Sequence, residues 1–120
     1  MDNGFELNGM EDILSKLEQM GKNVDNIKEK ALKKAGEVFA EEIRNNVPVD
    51  TGNLKDNIGV GELEEGSVKV GATKDAFYLK FLELGTKNIT PNPVMTRAYE
   101  TKKNEAKKVI EQELKRELGL

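Results

Sequence analysis

Asp50, Thr51 and Gly52, inside the stretch VPVDTGNLKDNI, are the residues whose types and order most resemble a catalytic motif. Asp-Thr-Gly is the tripeptide that carries the working carboxylate of aspartic proteases, where two carboxylates face each other and share a proton. That arrangement takes an internal duplication or a homodimer on an all-β scaffold. The chain holds a single copy of the tripeptide, has no second half resembling the first, and follows a helical pattern over much of its length. A structural reading accounts for more of the stretch. Pro48 stops a helix, Asp50 or Thr51 accepts hydrogen bonds from the backbone N–H groups that follow, and Gly52 tolerates unusual dihedrals. Asn53 to Ile58 then make a short helical turn or enter a strand.

Other chemistries are restricted by what is missing. With no Cys and no His among 120 residues, thiolate nucleophiles, disulfides, imidazole bases and the usual zinc ligand sets are excluded. Oxygen ligands of the calcium or magnesium kind remain, but no clustered D-x-D-x-D loop supplies them, so neither a metal nor a cofactor is expected. The net charge is −3 and unevenly placed: residues 1–29 carry seven acids against three bases, whereas 101–117 carry six bases against four acids. Glutamates interspersed among the C-terminal lysines, and four Phe and two Tyr with no Trp, argue against a nucleic-acid surface. No apolar run approaches a membrane span, and the start MDNGFELNGMEDIL lacks the basic and apolar parts of a signal peptide, so a cytoplasmic protein is expected.

The elements that must position these residues follow from periodicity. Met10, Ile13, Leu14, Leu17 and Met20 predict a short amphipathic helix stopped by Gly21. A second helix is predicted from an N-cap at Asp25 or Asn26 to Asn45 or Asn46, with Ile27, Ala31, Leu32, Ala35, Val38, Phe39 and Ile43 as its apolar stripe. Beyond Pro48 the period changes to two. Ile58 and Val60, then Val68, Val70 and Ala72, predict a β-hairpin turning at Glu64, Glu65 and Gly66, and Gly59, Gly61 and Gly71 suggest bulges or a helix packed closely on the sheet. DAFYLKFLELGT is a buried segment of either type: Phe77, Leu79 and Phe81 suit a strand, whereas Phe77, Phe81 and Leu84 suit a helix. After a loop with a turn at Thr90 to Pro93, a last helix runs from about Val94 to Glu117, roughly 36 Å long against a compact domain about 35 Å across. Its apolar positions thin out after Tyr99. The far half therefore either lies on a neighbouring molecule or forms a surface helix held by pairs such as Glu111 with Lys115.

Taken in order, NNVPVDTGNLKDNI, the hairpin ending in VKVGAT, DAFYLKFLELGT and PNPVMTRAYE resemble the small tail-component family of siphophages and related prophages, the group associated with lambda minor tail protein Z. The resemblance covers about residues 27–100. Pro48, Asp50, Thr51, Gly52 and Leu54 match its first block, Val70 and Gly71 its second, Tyr78, Glu83, Gly85 and Thr86 its third, and Pro93, Arg97, Ala98 and Glu100 its fourth. Ala76-Phe77-Tyr78 departs from the usual Tyr-Ala order, Leu84 stands where Phe is common, and Val94-Met95 replaces a Phe-led pair.

The pattern implies an α+β fold in which N-terminal helices and a long C-terminal helix pack on a small, mainly antiparallel sheet. One domain is expected over 1–120, with a peripheral helix in 1–23, a family-like core in 24–100 and a helical extension in 101–120. The resemblance implies a structural virion protein for tail completion or head-tail joining, not an enzyme. Such a protein forms a homo-oligomeric ring and docks to tail and connector proteins, with no membrane or small-molecule partner; the charge pattern disfavours nucleic acid, and the alternatives are a carboxylate-dependent protease through Asp50-Thr51-Gly52 or a small nucleic-acid-binding module. It is assembled in the bacterial host cytoplasm and resides at the head-proximal end of the tail. An overhanging last helix and the loops 50–57 and 85–93 are the expected contact surfaces.

Overall fold

In the computed structural model, residues 11–48, 52–72 and 76–119 are described. Five helices and two strands follow one another: α1 (Glu11–Gln19), α2 (Val24–Asn46), α3 (Gly52–Asp56), β1 (Ile58–Val60), β2 (Val70–Ala72), α4 (Ala76–Leu84) and α5 (Val94–Glu117). The fold is α+β, as the periodicities predict. α2 and α5 form its spine. They run antiparallel, because Lys34 of α2 pairs with Glu113 of α5 while Glu42 pairs with Lys102 at 3.7 Å.

The cap of α2 lies two or three residues before the predicted Asp25 or Asn26. Asn23 is the N-cap, its Oδ1 accepting from the Asn26 N–H at 3.2 Å, so Asp25 lies in the first turn, where its charge suits the helix dipole. Its end matches expectation: Val47, ahead of Pro48, is extended at φ −74° and ψ 149°. The stripe Ala31, Leu32, Ala35, Phe39, Ala40 and Ile43 is buried, with Val38 half-buried. In α1, Leu17 is fully buried and Ile13 and Leu14 are half-buried, but Met20 stands out of the core at 56% exposure.

The predicted hairpin forms, with Ile58 opposite Ala72, Gly59 opposite Gly71 and Val60 opposite Val70. Its strands are three residues long, and the pairing is continued by Gly61 N–H donating to the Lys69 carbonyl at 2.8 Å and by a bridge between Glu64 and Ser67. Glu65 and Gly66 both have positive φ, as the central residues of a tight hairpin turn require. A lone two-stranded hairpin is marginal in water, so it must lie on a helix. α2 provides the contact through Gly36, where an added Cβ would sit 2.9 Å and 3.0 Å from the two methyls of Val60 and 3.3 Å from one of Val70. The close approach expected of the strand glycines is thus made by a helix glycine. Gly59 and Gly71 have nothing within 4 Å of such a Cβ.

α5 has the predicted limits, but its far half is not free. Ala106, Ile110 and Leu114 are buried against α2 and α1, and the apolar thinning after Tyr99 reflects a narrower stripe sufficient for a two-helix seam. Glu113 lies in that seam, 3% exposed, paired with Lys34 and with Arg116 at 2.8 Å. The body is longer than a compact domain of this size, measuring 55 × 23 × 20 Å. No described helix is long and apolar enough to cross a membrane.

Candidate functional site: the α4 face and its junction with α5

The segment 76–84 is a helix, and its burial runs opposite to the expected face. Leu79, Leu82 and Glu83 point inward, whereas Tyr78, Phe81 and Leu84 are 39%, 43% and 66% exposed. At spacing i, i+3 and i+6 these three form one stripe on a short helix. Ile89, in the loop beyond, adds a further exposed apolar side chain. The aromatic character that marks DAFYLKFLELGT as core material is therefore turned in large part to the outside. Exposed apolar groups gathered on one element mark contact surfaces more often than singly scattered ones do.

Several residues singled out from the sequence meet where α4 joins α5. α4 ends at Gly85, whose φ of +77° reverses the chain, and whose missing Cβ would lie 2.6 Å from Pro91 Cγ and 2.9 Å from the Ile89 carbonyl oxygen. Thr86 closes the loop: its backbone exchanges hydrogen bonds with Ile89, and its hydroxyl accepts from the Asn88 and Ile89 N–H groups at 3.2 Å and 3.0 Å. Asn92 N–H then donates to the Leu82 carbonyl at 2.6 Å, tying the loop back to α4. Arg97 donates to the Asn92 side chain, and Ala98 is 1% exposed beneath.

Glu83 is the centre of this junction. The N-cap of α5 is Pro93, which offers no side-chain acceptor, so the N–H groups of Met95 and Thr96 would otherwise lack partners. The Glu83 carboxylate, 8% exposed, accepts both, at 2.8 Å and 3.1 Å, and also the Thr96 hydroxyl at 2.5 Å. An anion buried at the positive end of a helix is stabilised there by both hydrogen bonding and the dipole. The signal in the sequence is a helix start lacking Ser, Thr, Asp or Asn at its cap, which calls for an acceptor from elsewhere.

The remaining predicted residues lie apart from this junction. Asp50 and Thr51 fall outside the described residues, and Gly52 opens α3. Leu54 is 2% exposed, Pro48 and Gly71 are half-buried, and Val70 is 4% exposed. Leu54 and Val70 are accordingly core residues.

The sequence model of the family described as "Bacteriophage HK97-gp10, putative tail-component" matches residues 11–85. The chain belongs to this HK97-gp10-like family. Searches of curated proteins and of solved structures returned no match. The matched region runs from the first residue of α1 to Gly85, so it includes α2, the hairpin and the whole of α4, and stops at the turn that carries the chain toward α5. Glu83 belongs to the matched region, while the helix it caps lies beyond it. Membership assigns the protein to the tail components of phages and speaks for a structural rather than a catalytic role.

Proposed function

We propose that this chain completes the phage tail or joins it to the head, as a ring of copies docked to tail and connector proteins. The observation that carries the reading is the outward apolar stripe Tyr78, Phe81 and Leu84 on a helix anchored from within by Leu79, Leu82 and Glu83. A ring needs heterologous contacts, one patch meeting a different patch on the next copy. The loop 86–91, exposed throughout, borders the stripe and supplies polar groups for its rim. The distal part of α5 is not among these surfaces, since its apolar side is covered by α1 and α2.

The test is the double substitution Phe81→Ser with Leu84→Ser, followed by light scattering over a concentration range and by assembly of tails in the presence of the other tail proteins. The expected result is an unchanged circular dichroism spectrum together with loss of association and of tail incorporation. Undiminished incorporation of the double variant would overturn the reading.

A further inference from the structure

Two surfaces of opposite charge lie far apart along α2. The first is the α4 face. Lys80 is exposed on α4 one turn before Leu84, and Lys87 is exposed three residues after it; neither enters an ion pair among the described residues. The second is the hairpin tip. Glu64 and Glu65 are exposed there and likewise unpaired, while Glu62 is held by Lys33 at 2.7 Å. Lys28 reaches the turn from beneath, its Nζ lying 3.3 Å from where a Cβ on Gly66 would be.

Their separation follows from the contacts with α2. Arg44 donates to the Ile58 carbonyl at 3.0 Å, Gly36 lies under Val60, Lys33 meets Glu62 and Lys28 meets Gly66, so the hairpin runs back along α2 toward its N-terminus. Met95, whose N–H binds Glu83, shares a small apolar cleft with Phe39, Ile43 and Tyr99, which puts the end of α4 beside the C-terminal half of α2. From Lys28 to Ile43 is about 22 Å along the helix axis at 1.5 Å per residue. A chain cannot fold its own tip onto its own α4 face.

We infer that successive copies associate head to tail, the acidic hairpin tip of one seated on the α4 face of the next, with Glu64 and Glu65 against Lys80 and Lys87. This inference rests on the oligomeric reading above and names the partner surface of the same face. A second copy is the occupant because the chain itself carries the complement: an apolar stripe rimmed by unpaired lysines at one end, unpaired glutamates at the other. Met20 is the large apolar residue left exposed near the N-terminal end of α2, and its thioether suits an aromatic face such as Phe81. A symmetric pairing of two α4 faces would instead bring lysines toward lysines, which disfavours it.

The absence of cysteine makes the test direct. Ser67→Cys and Asn88→Cys, which border the two surfaces without belonging to the apolar stripe or to the charge pairs, are introduced singly and together into the full chain and treated with a short bifunctional thiol reagent. The double variant is expected to give a ladder of covalent multimers, a mixture of the two single variants to give dimers only, and each single variant alone to give none. Charge reversal supplies a second readout. Glu64→Lys with Glu65→Lys should weaken self-association about tenfold, the effect of losing roughly 1.4 kcal/mol of charge pairing, and Lys80→Glu with Lys87→Glu on the same chain should restore it. Wild-type association without cross-linking of the double variant would overturn this pairing and leave the ring reading standing. A ladder without a limiting size would support the pairing and overturn the closed ring. A chain that neither associates nor cross-links would overturn both.

Discussion

Replacing Glu83 with alanine isolates the contribution of one carboxylate to the order of two helices. The substitution takes from the half-buried Met95 N–H, the exposed Thr96 N–H and the Thr96 hydroxyl their common acceptor, a carboxylate that is itself 8% exposed. Each charge-assisted hydrogen bond to this carboxylate that is lost costs about 1 kcal/mol or more, and loss of an anion from the helix N-terminus adds about 0.5–1 kcal/mol, for a destabilisation of about 3 kcal/mol. Unfolding entropy near 2.1 cal/mol/K per residue gives about 0.25 kcal/mol/K for this chain, so the melting temperature should fall by about 12 °C. Glu83→Gln keeps one acceptor oxygen and the shape of the side chain, and should lose about half as much. Thermal melts followed by circular dichroism, with urea titrations at fixed temperature, give both numbers. A double-mutant cycle with Thr96→Val should show coupling, because the two side chains share one hydrogen bond. A fall of less than about 4 °C for the alanine variant, or strict additivity in the cycle, would mean that α5 finds its start without Glu83 and that the capping argument is wrong.

Four further outcomes follow from the structure. Gly85→Ala should cost about 3 kcal/mol, combining a left-handed backbone with a Cβ driven into Pro91, and adding Pro91→Ala should recover part of it in urea titrations. Gly36→Val should destabilise by about 2–3 kcal/mol, since both Val60 methyls lie in the path, whereas Gly36→Ala should stay within about 1 kcal/mol because gained helix propensity offsets the contact. The Lys34 hydrogen bond first, and the charges of Arg116, Lys34 and Lys30 after it, hold the Glu113 carboxyl below its ordinary 4.5 against the opposing effect of burial. A carboxylate depressed by folding stabilises fully above its unfolded value, so this contribution should be intact at neutral pH and disappear as the pH drops below about 4.5; urea midpoints of Glu113→Gln should fall less steeply there. Asp50→Asn and the parent chain should both fail to cleave peptide substrates, and release of product by the parent that the substitution abolishes would restore the protease reading.

The elements that local rules govern were legible in the residues. Pro48 ended α2 by covalent necessity, the alternation around Glu64 to Gly66 made a hairpin, and Pro93 with the run beyond it set α5 from Val94 to Glu117. The elements that depend on which neighbour is available were not. Nothing within Phe77 to Leu84 says that Leu79 and Leu82 will find the core while Phe81 and Leu84 are left outside, because hydropathy alone ranks all four as burial candidates. The far half of α5, which its thinning stripe leaves between a neighbouring molecule and a surface helix of its own chain, packs on its own chain, because a narrow stripe is adequate once α1 and α2 close on it. Gly36 and Glu113 were readable in retrospect, a glycine and a charge each set inside an apolar stripe, where glycine signals close approach and a buried charge demands partners.

The outward apolar face of α4 bears on how such a chain can associate without losing its fold. An apolar helix face turned to water is a liability unless something else fixes the helix, since the same side chains could slide inward and displace the core beneath. α4 is short and would not hold its shape alone. It is held by Leu79 and Leu82 below, by Asn92 closing the loop onto the Leu82 carbonyl, and by the Glu83 carboxylate bonded to the start of a twenty-four-residue helix. Rotating α4 to hide Phe81 would draw Glu83 out of its three hydrogen bonds at a cost of about 3 kcal/mol, against about 1 kcal/mol gained by burying the exposed part of one phenyl ring. The buried carboxylate therefore does more than begin α5: it keeps the apolar stripe facing outward, ready for another surface. A Glu83 variant that remains folded should accordingly lose association more than its stability loss explains, and a hydrophobic dye should report Phe81 and Leu84 less exposed.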